Sequence, residues 1–557
     1  MRFLVVLVLV MVTAPGALAL DSARGLAASG APHLALARAE QLQPRDATAP
    51  RWAEWEALRM SLLVRLQRHD EALRRAAALP VGMPQPALRQ CLLDAARAAV
   101  AAGQGGTARS YLTRLLWENE ATPDEARGAR LLVIESHVTE RQGDTAFRAM
   151  LRFQQDYRPL DSGVAERFVE ALLDLGRDKE AVNWLASLED TSAAKLRLQL
   201  RNGLVAPDAV IVQARAQITK GGGPGYWQLL AETAAKQGNG ELRIESLERL
   251  LNVGGNNARV PRAPANGLWQ AYLSGAQTGA NQNRLLAGDD TAWLDFAARR
   301  LGTNPHLARA LFGYLAQNGA ARETRHVAQL QLAFSLYQDG LDHTALQLFS
   351  DGQGGPETLD TQARYLLGNI AETRNAPALA VRFWQGLAAP PNAGAEEWQV
   401  RLATMQWRAG MGEPAVSTMR ALVKTAKPLP AAAATRAVAL ARDMLGAGKA
   451  DLAEEMLAAL LPLAGREHAR GILYTLGGIA ESAGQFARAA DYFLRSALGG
   501  EPQTAPDALA LQARLAAALN LARAGYKDDA RAQLDWLLKN SKDPAQIETA
   551  RRELSRL

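Results

Sequence analysis

The chain has one cysteine, Cys91, in 557 residues. No intrachain disulfide can form, so a protein of this length must stand on packing alone. Runs of five or six like charges are missing, and a net charge of +6 is a slight excess rather than a basic stripe. A nucleic-acid partner is therefore not expected. The seven histidines include no pair at i, i+4, the spacing that lets one helix face hold zinc. His69 and His343 read as solvated residues of inter-helix turns. In "GAGKAD" at 446–451, Asp443 and Ala450 stand where a phosphate loop needs Gly and Ser or Thr. No cofactor or metal is expected. Segments with strand-like alternation are also lacking, and past residue 20 nothing reads as a membrane span.

The first residues are "MRFLVVLVLVMVTAPGALAL". Arg2 supplies a positive start, residues 3–12 an apolar run, and Pro15 and Gly16 a break. Ala17-Leu18-Ala19 is a small-x-small cleavage site. The run is too short to cross a bilayer comfortably. Residues 1–19 thus read as a signal peptide cleaved after Ala19, which implies export and a periplasmic location.

Two stretches a hundred residues apart say nearly the same thing: "RYLLGNIAETRNAPALAVRFW" at 364–384 and "LYTLGGIAESAGQFARAADYF" at 473–493. A small residue (Gly368, Gly477) is followed twelve positions on by alanine (Ala380, Ala489), then four on by a large apolar residue (Trp384, Phe493). The pattern recurs from Ala333, Ala403, Ala441, Ala518 and Ala96. Marker alanines fall at 72, 108, 146 and 181, then at 345, 380, 415, 453, 489 and 530. The physical reading is two antiparallel helices that cross where side chains are small, with Ala489 expected at the crossing near Gly477. Gly143-Asp144, Gly340-Leu341-Asp342, Gly448-Lys449 and Gly525 mark the turns between them. Prolines at 80, 123, 159, 390, 428, 462 and 544 are expected where second helices stop.

This period and pattern resemble the tetratricopeptide repeat, a helix–turn–helix unit of about 34 residues. The resemblance implies an all-α solenoid whose repeats stack into a superhelix. Residues 20–220 are expected to be repeat-like, 221–322 degenerate helical pairs and loops with a bend, and 323–557 regular repeats closed by a charged capping helix. The resemblance also implies a binding face formed by first helices. The position after the small residue and the one four before it would face the partner. Those residues are Leu330 and Phe334, Tyr365 and Asn369, Thr404 with Val400, Arg442 with Val438, and Tyr474. The partner implied is a protein or peptide of the cell envelope, with an outer-membrane protein or polysaccharide export machinery among the candidates.

Two other classes have some support in the sequence. Glu-Ser pairs at Glu135-Ser136, Glu245-Ser246 and Glu481-Ser482 invite comparison with lytic transglycosylases, which also join a helical superhelix to a Glu-Ser domain. The Gly-Leu-Met-Gln type motif of that family is missing, and no separate domain is left to hold catalysis. Tryptophans could serve a glycan-binding solenoid, but Trp384 and Trp407 read better as packing residues. A scaffold without enzymatic activity is the expectation.

Overall fold

In a computed structural model the described residues are 15–254, 265–350, 358–425, 428–499 and 506–557. They form helices and turns, with no strand among them. The chain divides into two compact units, one up to Leu229 and one from Leu230 to Leu557. The first holds α1 (Pro15–Ala28), α2 (Pro32–Leu42), α3 (Trp52–Arg65), α4 (His69–Ala77), α5 (Gln85–Ala101), α6 (Gly105–Thr113), α7 (Pro123–Thr139), α8 (Gly143–Asp156), α9 (Ser162–Asp174), α10 (Asp178–Ala181), α11 (Ala193–Arg201) and α12 (Pro207–Thr219). The division falls within α13 (Gly225–Gln237). The second unit continues with α14 (Gly240–Gly254), α15 (Ala265–Gln282), α16 (Asp290–Arg300), α17 (Pro305–Asn318), α18 (Arg322–Gln338), α19 (Asp342–Ser350), α20 (Thr361–Thr373), α21 (Pro377–Trp384), α22 (Ala395–Arg408) and α23 (Gly412–Thr425). It ends with α24 (Ala431–Gly446), α25 (Ala450–Leu460), α26 (Arg466–Ser482), α27 (Phe486–Leu498), α28 (Ala508–Arg523), α29 (Lys527–Asn540) and α30 (Pro544–Leu554).

Most consecutive helices pack on one another, and first helices of adjacent pairs also touch, as α5 does α7, α22 does α24 and α24 does α26. This is an all-α solenoid of stacked helix–turn–helix repeats. One pair cannot bury its own apolar stripe, so each borrows the next pair as its cover. Cys91 is part of that core. It is buried on α5, where burial, with Glu56 and Asp94 nearby, pushes its thiol pKa up. The thiol is a packing group.

The repeated pattern has a definite contact behind it. The indole of Trp384 on α21 lies directly on Gly368 of α20, so that a Cβ at Gly368 would fall inside the ring. Phe493 on α27 lies on Gly477 of α26, where a Cβ would come within 2.7 Å of the ring. The small residue is thus a seat for the large residue sixteen positions later. Ala489 keeps the buried place near Gly477 that the sequence led one to expect. It is fully buried beside that seat, in one cluster with Ala480 and Ala517, and the residue over Gly477 is Phe493.

Turns follow the sequence reading with exceptions. Gly340 and Gly525 take the left-handed conformation, at φ 69 and 88. In the turn before α8 that role belongs to Arg141 (φ 57), while Gly143 opens the helix against the Arg177 side chain. Pro123 and Pro544 do not stop second helices. They stand in the first turn of α7 and α30, where a missing N–H costs nothing. At the C-terminal end, Arg470 of α26 grips Asp507 through two 2.7 Å hydrogen bonds. Asp507 also caps α28 by accepting from the Ala510 N–H. The Arg470 bonds and that cap hold the Asp507 carboxyl down at about 2. At the other end, α1 runs across the expected cleavage point, and Leu20 is buried in one cluster with Ala39 and Trp55. Residues 1–14 of the expected signal peptide lie outside the described residues.

Between 240 and 350 the packing leaves the simple order. Helix α14 packs not only on α15 but on α17 and on α19, a hundred residues downstream. Its Glu248 is fully buried and meets Arg309 of α17 through two 2.7 Å hydrogen bonds. Tyr272 of α15 donates to the same carboxylate at 2.7 Å, and His306 Nδ1 lies 3.2 Å away. Arg309 also reaches Asp339 at 2.5 Å, at the end of α18. Burial alone would push the Glu248 carboxyl up, but the His306 and Arg309 interactions more than offset this and hold it down. A buried pair of this kind is worth little against an apolar replacement, yet removing one partner typically costs about 3–5 kcal/mol. Thr344 of α19 donates to the Glu248 carbonyl at 2.6 Å, and Asn252 accepts from the His343 N–H at 3.0 Å. His343 is therefore not a merely solvated turn residue. Its ring is partly buried, and burial, then the Arg374 charge, lowers its pKa. Glycines set the spacing here too: Leu307 lies on Gly279, and Tyr272 lies on Gly313.

The seat contact gives a direct test. Alanine is a better helix former than glycine by about 1 kcal/mol, so Gly368→Ala should stabilise α20 unless Trp384 occupies that space. The expected result is a net loss of about 1–3 kcal/mol in urea unfolding. Trp384→Phe in the same chain should recover part of it. Additive effects of the two changes would refute the contact.

Candidate partner-binding face

The seven residues expected at a partner face sit at equivalent positions of α18, α20, α22, α24 and α26. Phe334, Asn369 and Arg442 are exposed, whereas Leu330, Tyr365, Thr404 and Tyr474 are partly buried. The Tyr365 hydroxyl donates to the Ala388 carbonyl at 2.6 Å, and its ring stands edge-on to Trp398. Thr404 donates back to Val400 of its own helix, and Tyr474 packs against Phe493. Val400 and Val438 are buried and do not belong to the face.

The first helices are joined along this face by paired charges. Arg401 of α22 donates to Glu372 of α20 at 2.7 Å and to Asn369 at 2.8 Å. Its guanidinium also lies over the Trp384 ring, 4.6 Å from the centroid. Arg436 of α24 comes within 4.0 Å of both Glu372 and Glu397, and Arg523 of α28 pairs with Glu481 of α26 at 2.6 Å. Exposed pairs like these contribute little stability one by one, but they leave few charges unanswered. Arg442 has no ion pair or side-chain hydrogen bond among the described residues.

Helix α18 is different. Val327, Leu330, Phe334 and Tyr337 form a row at i, i+3, i+7 and i+10. Phe334 and Tyr337 are 43% and 47% exposed and Val327 is 42% exposed, large values for apolar side chains. A cavity of about 540 Å³, lined by Arg322, His326, Asp360 and Gln362 among others, adjoins Val327 and Leu330. Val327 and Tyr337 were missed by the sequence reading, which used two positions per helix. The helical spacing was there to find them.

The Glu-Ser pairs are spent on structure. Ser136 donates to the Val133 carbonyl at 2.7 Å, Ser246 to Leu242 at 2.6 Å and Ser482 to Gly478 at 2.9 Å, all within their own helices. Glu135 pairs with Arg167, and Glu481 with Arg523. Among the described residues no group of three or more His, Cys, Asp or Glu could hold a metal ion. No helix among them is long and apolar enough to cross a membrane.

No protein-family model matches the chain, and no curated protein matches it. Among solved structures, the crystal structure of the APC/C hetero-tetramer Cut9–Hcn1 aligns over 97% of this chain and 97% of its own, at 12% identity and a TM-score of 0.25. The fold assignment therefore rests on the helix pairing and the seat contacts, and that likeness adds nothing to it.

Proposed function

We propose that the chain is a scaffold without catalytic activity that binds a protein or peptide along the first helices of residues 323–557. The observation that carries this is the row on α18. Four apolar side chains stand in line, three of them more than two-fifths exposed, beside first helices whose charges are largely paired among themselves. Leaving such a row in water is unfavourable by about 25 cal/mol for each Å² that a partner would cover. Aromatic anchors of this kind dominate many interfaces. Leu330, Phe334, Tyr365, Asn369, Thr404, Arg442 and Tyr474 are the proposed contact residues, with Val327 and Tyr337 added. Asn369 can present its amide to a peptide backbone, and Arg442 offers a positive charge that has no ion pair among the described residues.

The setting we propose is the periplasm, in cell-envelope assembly, secretion or polysaccharide export, with an outer-membrane protein as one partner. The support for export is the signal-like start of the chain. A transglycosylase or glycan-binding role is less favoured, because the Glu-Ser hydroxyls are bonded within their helices.

Two measurements test this reading. A photo-reactive phenylalanine analogue at position 334 should give a discrete crosslinked partner in an envelope fraction. The same analogue at Ser417, on the exposed side of α23, should not, and Tyr337→Asp should abolish the adduct. Equal labelling from both positions would sink the binding face. For export, the mass of the mature protein should correspond to a chain beginning at Leu20. Material from the envelope that still carries Met1 would count against it.

A further inference from the structure

The first unit has a pocket of about 310 Å³. Helix α6 does not end cleanly. Over Arg114–Glu118 it widens into a π-helical turn, a feature that is rare and concentrates at functional sites. The turn is held in place and is not a frayed end. Leu112 and Leu115 are fully buried, and the buried Asn119 donates to the Arg114 carbonyl at 2.7 Å. One consequence is that Trp117 stands 78% exposed, which is unusual for the largest apolar side chain in a chain whose Trp184 and Trp384 are fully buried.

Beside Trp117 the pocket lining is part apolar and part basic. Its apolar lining includes Leu116, Val133, Ile134, Ala149 and Phe153. Phe153 is held in place, buried and edge-on against Phe168 at 5.8 Å. Arg109, Arg130 and Arg152 also line it, against a single carboxylate, Asp156. Two of the guanidiniums are committed: Arg109 to Glu140 at 2.8 Å and Arg130 to Asp156. Arg152 is exposed, and it has no ion pair or side-chain hydrogen bond among the described residues. The lining therefore carries more positive than negative charge, with one arginine free to bind.

We propose that this pocket is a second docking site, for a segment of a partner polypeptide that inserts one large apolar side chain and sets an adjacent Asp or Glu against Arg152. Its size is at the lower end for ligand pockets, which begin at about 300 Å³, and suits one anchoring side chain better than a cofactor. An exposed Trp beside arginines around a pre-formed apolar hole is the composition of an interface hot spot. The free guanidinium fixes the sign of the partner, since a carboxylate answers it and an ammonium does not. The site lies between α6, α7 and α8, so it stands whether or not the first helices of residues 323–557 bind anything.

Selection of a random dodecapeptide phage library on the full chain tests this. Selected peptides should carry a large apolar residue within two positions of Asp or Glu. As synthetic peptides they should bind about tenfold or more weakly to Arg152→Glu and to Trp117→Ala, and weaken as salt is raised. Both side chains are exposed, so both variants should keep the wild-type melting temperature. Phe334→Ala should leave these peptides unaffected. Peptides that bind both pocket variants as tightly as wild type would overturn the proposal. So would a selection that yields only peptides sensitive to Phe334→Ala, only basic peptides, or none.

Discussion

The two best-matched repeats of this structure depend on a ring lying on a residue that has almost no side chain. Trp384 over Gly368 and Phe493 over Gly477 bring paired helices close enough to interlock. The ring fills the space that the glycine leaves, so neither residue can change alone. The sixteen-residue separation follows from geometry. It is the length of chain needed to finish one helix, turn, and come back along it. A pair built this way has one side still apolar, and stacking the next pair covers it. The likeness of the two stretches is therefore the record of one contact made twice.

The segment from 240 to 350 solves the same problem with different means. Glycines still set helix spacing, as at Gly279 and Gly313, but the register is fixed by a buried ion pair. Glu248 is satisfied by Arg309, Tyr272 and His306 together. An apolar contact can slide by a turn at modest cost, whereas a buried carboxylate with several donors has one position. That position is what lets α14 pack against α19 across a hundred residues of sequence. Asn252 and Thr344 complete the attachment.

These two strategies explain what was legible in the sequence. Where a small residue and a large apolar one sixteen positions on recur, the helix pairs and most turns from 323 to 540 could be read directly. Ala489 was legible as a buried residue of the pair, but that Phe493 is the residue covering Gly477 was not. Glu248, Arg309 and His306 gave no signal, since a pair 61 residues apart in sequence looks like two ordinary surface charges. The proposed partner face was legible as positions but not as chemistry. Thr404 and Tyr365 have hydroxyls bonded internally, and only the structure shows that α18 keeps its apolar row exposed. The π-helical turn at Arg114–Glu118 has no sequence signature at all.

A structure held by local seats and one buried pair should lose its parts in a definite order. The most direct test is native-state hydrogen exchange across the intact chain. Amides around Gly368 in α20, Gly477 in α26 and Arg309 in α17 should exchange only through cooperative opening of the second unit, and be the slowest there. Those of α30, which packs on one side only, should exchange far sooner. Fast, independent exchange at Gly368 and Gly477, no slower than in α30, would contradict the claim that these seats hold the repeats together.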